Sequence, residues 1–237
     1  MLKAMLWAFV GASSLLLGAL IAFRFAIGDR FLGLVMAFGA GVLISAVSYE
    51  LVEEAVAAAA SPAAVAAGFA LGALVFFAGD VSIDRRLKGN EGSAGLGIVL
   101  GAVLDGIPES VVIGASLLSG GSVGVAVIVA VFLSNVPESI SASADLVSGG
   151  WSRSRVLRLW VLVAATSALA AGLGYVLLEG ASGSWTAAIQ AFAAGAILTM
   201  LADEMIPEGY ERAGHRKLVG VAMAFGFALA AALSFRT

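Results

Sequence analysis

The stretch GAVLDGIPESVVIGASL (residues 101–117) places two carboxylates, Asp105 and Glu109, inside a run of otherwise apolar or small residues, with Pro108 between them. A near copy, FLSNVPESISASADL (132–146), carries Ser134, Asn135, Pro137 and Glu138. Asp105 and Glu109 are four residues apart and therefore share one face of a helix, as do Ser134 and Glu138. Neither proline can donate the usual helical hydrogen bond, so each frees a carbonyl about one turn earlier, next to the carboxylates. In a soluble domain Pro-Glu reads as an ordinary helix start. Here both copies lie deep within apolar runs.

The rest of the chain explains the setting. Of 237 residues, 61% are hydrophobic and only 12% charged, and the mean hydropathy is +1.04. A soluble domain is about 45–50% apolar and about 25% charged. So few charges cannot cover a water-facing surface, and the expected class is an all-α protein that crosses a bilayer several times. Cysteine is absent, which excludes disulfides and thiolate metal ligands. The net charge is −3 and the Lys and Arg residues are sparse, so no basic patch for nucleic acid is expected. No phosphate-binding G-x-x-x-x-G-K-[ST] motif occurs, so ATP is not the expected energy source.

Apolar runs separated by short polar breaks predict eight spans in one transmembrane domain over 1–237. They lie at about 5–23, 31–57, 63–79, 96–118, 122–147, 156–178, 185–210 and 217–235. The first is read as a retained helix and not a cleaved signal, since no clear A-x-A site closes it. The longest break, 80–95, reads as a short loop. With this count, eleven of the thirteen Lys and Arg residues fall on one side, leaving only Lys3 and Arg236 on the other. Lys/Arg excess marks the cytoplasmic face. A multi-pass protein of the inner cell membrane with both termini outside is the expectation. Trp7, Trp151 and Trp185 fall near the proposed interfaces, and Gly68/Gly72 and Gly97/Gly101 have the spacing of close helix packing.

Internal repeats organise these spans. FGAGVLISAVSYELVEEA (38–55) aligns without gaps on FAAGAILTMLADEMIPEG (192–209), placing Glu50 on Glu204 and Glu54 on Glu208. DGIPES (105–110) aligns likewise on SNVPES (134–139). Each pair runs in opposite directions across the membrane, predicting inverted repeats of spans 1–3 against 6–8 and span 4 against 5. Binding sites of transporters built this way lie where the repeats meet.

A carboxylate at the bilayer centre costs about 2.5–3.5 kcal/mol. Asp105, Glu109 and Glu138 repeat that cost three times over. No Lys or Arg occurs between 89 and 152 to pair with them, so the neutralising charge must come from solution as a metal cation or as protons. Glu50, Glu53 and Glu54 at one end of span two would form an entrance. Asp203, Glu204 and Glu208 in span seven, with His215 beyond, would form an exit. A proton or monovalent-cation relay is the alternative on the same scaffold. An intramembrane hydrolase is disfavoured because no Ser/His pair or His-based zinc motif occurs in any span, and an enzyme is not expected.

These residues resemble the ZIP (Zrt-, Irt-like) family of divalent metal transporters, over essentially the whole chain. The family's span-four motif His-Asn-x-Pro-Glu-Gly falls on Asp105 to Ser110, and its span-five motif His-x-x-Pro-Glu on Ser134 to Glu138. The resemblance implies a metal site of Asp105, Glu109, Ser134, Asn135 and Glu138, with the two glutamates bridging. It also implies metal uptake by alternating access, with Zn, Mn, Fe or Cd as substrate and no separate cofactor. Both signature histidines are replaced here, by Asp105 and Ser134, and Gly106 stands at the Asn position. Zinc favours imidazole and thiolate, whereas an all-oxygen site suits harder cations such as Mn²⁺. A homodimer is left open.

Overall fold

The computed structural model describes residues 1–59, 61–87, 94–117, 125–214 and 216–234. These fold into eight helices: α1 (Leu2–Arg24), α2 (Asp29–Ala58), α3 (Pro62–Leu87), α4 (Ala94–Ser116), α5 (Val125–Ser148), α6 (Arg153–Leu178), α7 (Gly183–Arg212) and α8 (Leu218–Ser234). Seven are long and apolar enough to cross a membrane, and α8 is a shorter apolar helix. Helix is the form available to such sequences, because hydrocarbon offers the backbone no hydrogen-bond partners. The ends carry ordinary signals. Ser152 and Ser182 cap α6 and α7 by accepting from the amides of Arg155 and Trp185. Gly150 and Gly214, at φ 89° and 71°, provide the left-handed turns after α5 and α7.

Two differences from the sequence reading matter for the site. The break at 80–95 is not all loop: α3 continues to Leu87, so Asp80 and Asp84 lie on a helix, one turn apart. The two Pro-Glu helices stay α-helical through Pro108 and Pro137. The irregular turns are elsewhere, as π-helical segments Val47–Val52 in α2 and Leu201–Met205 in α7. Those segments occupy corresponding positions of the aligned repeats.

The packing follows the same symmetry. α2 packs on α8 as α3 packs on α7, and α1 on α5 as α4 on α6. Exchanging 1 with 6, 2 with 7, 3 with 8 and 4 with 5 maps each contact onto its partner. Two groups result, α1/α4/α5/α6 and α2/α3/α7/α8, which meet where α2 crosses α5 and α4 crosses α7. Lipid gives little hydrophobic drive to helix association, so close backbone approach must supply it. A Cβ on Gly41 would collide with the Met223 carbonyl, and one on Gly226 with that of Phe38. The repeat reproduces this crossing, with Gly195 against Phe69 and Gly72 against Phe192. Gly68 also packs closely, on Ala188, but Gly101 meets nothing within 4 Å. The Gly97/Gly101 pair borders a cavity instead of sealing a helix contact.

Gly195→Ala and Gly72→Ala should each lower stability by about 1–3 kcal/mol through overpacking, read as a lower Tm in detergent. Gly101→Ala should leave Tm unchanged. Equal effects at all three positions would refute this packing.

Candidate metal site

Six polar side chains of the Pro-Glu motifs are buried inside the bundle, Ser110 and Ser139 among them. Asp105 is 7% exposed, and Glu109, Ser134 and Asn135 are buried with it. Glu138 is half-buried. Asp105 and Glu138 face a cavity of about 380 Å³ between α3, α4, α5 and α7. Glu204 and Glu208 line it from α7, and Asp80 and Asp84 from α3. Asp145 and Asp203, both exposed, complete the acidic wall and show where the cavity meets the outside. Among the described residues, no lysine or arginine lines it. A chamber of about 30 Å³ continues past Asp105 and Glu138 toward Met36, Met200 and Met205. That is room for only a few water-sized spheres at most.

Electrostatically the carboxylates form one system. Asp105 is within reach of Glu138, Glu204, Glu109 and Asp80. Glu138 is within reach of Glu204 and Glu208. Asp105 Oδ1 is buried and has no hydrogen-bond partner. A carboxylate oxygen buried without a protein donor favours a positive charge beside it, whether a metal cation or a proton. One basic side chain does fold in from elsewhere: Arg212, at the end of α7. It pairs with Glu208, Asp145 and Asp29.

The five candidate ligands are not equivalent here. Asp105 and Glu138 line the cavity, whereas Glu109, Ser134 and Asn135 are buried outside its lining. The Ser134 hydroxyl donates to the Val131 carbonyl at 3.0 Å. Among the described residues, no three His, Cys, Asp or Glu side chains already stand close enough together to hold one metal ion. Of the exit candidates, Asp203, Glu204 and Glu208 all line the cavity, while His215 lies outside the described residues. Of the entrance candidates, Glu50 is half-buried on the π-helical turn of α2 and Glu53 is exposed. Glu54 accepts from Gln190 Nε2 at 2.8 Å, beside a separate cavity of about 560 Å³. Sequence reasoning missed Asp80, Asp84 and Arg212. The four-residue spacing of the two aspartates was the available signal.

The profile of the ZIP zinc-transporter family matches residues 84–234, which spans most of the chain from the end of α3 through α8. The chain belongs to the ZIP family. It is thus a multi-span membrane protein of a divalent-metal transporter family, and not of an enzyme family. No curated protein matches the chain. The first three helices lie almost wholly before the matched region, and the repeats join them to it: α2 repeats α7, π-helical turn included.

Asp105→Asn removes the orphaned charge while keeping the side chain's shape. The metal-free variant should melt at the wild-type temperature or a few degrees above it, and Mn²⁺ should no longer stabilise it. A lower Tm together with an undiminished Mn²⁺ response would show that Asp105 is not a metal group.

Proposed function

We propose that this ZIP protein carries a divalent cation, Mn²⁺ in preference to Zn²⁺, into the cytoplasm by alternating access. The observation behind this reading is the unpartnered carboxylate of Asp105, set at bilayer depth on the wall of an acid-lined cavity. The candidate donors are all oxygen: the carboxylates of Asp105 and Glu138 on the cavity wall, and the Glu109 carboxylate, the Asn135 amide and the Ser134 hydroxyl buried outside its lining. The chain has one histidine and no cysteine, so imidazole and thiolate are scarce throughout. Such a donor set suits Mn²⁺ or Mg²⁺ better than Zn²⁺.

In this reading the end carrying Asp84, Asp145 and Arg212 faces the cytoplasm, because the basic residues cluster there, and both termini lie outside. The whole chain acts as a single transmembrane domain. Metal enters past Glu50, binds between α4 and α5, and leaves past Glu204, Asp203 and Glu208. The separated carboxylates belong to a state open to the cytoplasm, and they close around the ion as the two helix groups rock. In this reading the groups rock about the α2–α5 and α4–α7 contacts, where they meet. A proton or monovalent-cation pathway is the second reading, supported by the acidic side chains of Asp80, Asp105, Glu138 and Glu204 that line the same cavity.

Purified protein in liposomes should accumulate Mn²⁺, and Glu109→Ala combined with Glu138→Ala should reduce uptake to that of empty vesicles. Asp105→His should shift the Zn²⁺/Mn²⁺ preference toward zinc by about tenfold, one step of about 1.4 kcal/mol. Proton flux without metal flux would favour the relay and overturn the metal reading.

A further inference from the structure

Arg212 occupies an unusual place. Its Nε lies 2.7 Å from Glu208 Oε1, and Ser141 Oγ donates to that same oxygen at 2.7 Å. Its remaining nitrogens reach Asp29 at 3.2 Å and Asp145 at 3.4 Å, and also Ser141. One side chain on α7 therefore bridges to α2, in its own helix group, and to α5, in the other. Glu208 lines both the cavity and the small chamber beside Asp105 and Glu138.

We propose that Arg212 is a tethered counter-cation for this mouth: its guanidinium holds Glu208 between metal passages, and a departing divalent ion exchanges with it there. The inference rests on the transport reading above. Three features support it. First, the guanidinium stays charged at all working pH values, so the exchange needs no titration. Second, the acids are open to solvent while the guanidinium is less so. The side chains of Asp29, Asp145 and Glu208 are 75%, 59% and 39% exposed against 22% for Arg212, so an ion arriving through the cavity can reach Glu208, and the two exposed aspartate pairs contribute little individually. A fully buried pairing would be a plug. Third, the repeat does not supply it. Position 58, which corresponds to Arg212, is an alanine, and Glu54, which corresponds to Glu208, accepts from the amide of Gln190. The guanidinium is particular to this mouth. Its effect is graded: attraction for a cation is strongest among Asp105, Glu138 and Glu204 and is reduced at Glu208, so the ion is released and not retained.

The test uses the full chain in liposomes and in detergent, with Mn²⁺ as probe. Arg212→Gln should bind Mn²⁺ about tenfold more tightly, because Glu208 becomes available, and its maximal uptake rate should fall. Adding Glu208→Gln to that variant should return the affinity to the wild-type value, which a merely structural role for Arg212 would not produce. Arg212→Lys keeps the charge but loses the fork, and should show a smaller rise in affinity; it decides the matter if the Gln variant does not fold. Wild-type affinity and uptake rate in the Gln variant, or in the Lys variant where only that one folds, overturn the proposal. A wild-type protein that takes up no Mn²⁺ overturns the transport reading and the counter-cation with it.

Discussion

Three carboxylates at bilayer depth, without a fixed positive partner at their centre, are the constraint to which the rest of this protein answers. Hydrocarbon cannot solvate them, and each is costly in isolation. The fold therefore turns them inward, between α4 and α5, and surrounds them with further acids instead of with lysines or arginines. A soluble protein would not tolerate this arrangement without salt bridges. A transporter requires it, because a resident basic group at the centre would take the place of the cargo.

The helix packing serves the same constraint. Gly41 with Gly226, and Gly72 with Gly195, bring α2 onto α8 and α3 onto α7 at backbone distance. Tight packing inside each group leaves the looser space between groups, where the cavity lies. The π-helical turns of α2 and α7 put Glu50 and Glu204 at matching points of the two repeats. Glu204 shares its cavity with Asp105 and Glu138, and Glu54, in the other repeat, borders a separate one. One set of repeats thus shows two local environments.

Much of this was legible in the sequence, because hydrocarbon thickness and inverted duplication leave strong periodic marks. The eight helices, the α2–α7 repeat and the paired Pro-Glu motifs were all readable from apolar run length and a constant offset. Asp80 and Asp84 were not, because charges at the edge of an apolar run look alike whether they end a helix or line a cavity from within it. Arg212 was invisible for another reason. Its partners Asp29 and Asp145 are 183 and 67 residues away, and no local pattern encodes such a meeting. A shared helix face also does not decide which turn borders a cavity: Asp105 does and Glu109 does not. Gly101 shows the same limit, having the spacing of a packing glycine and the surroundings of a cavity wall.

The most direct measurement is anomalous diffraction from crystals of the protein soaked in Mn²⁺. A peak between the carboxylates of Asp105 and Glu138, lost in Asp105→Asn, is the predicted result. Anomalous density confined to the exposed Asp145 or Glu53 surface, with the interior empty in protein that transports Mn²⁺, would contradict the claim that these buried acids await a cation.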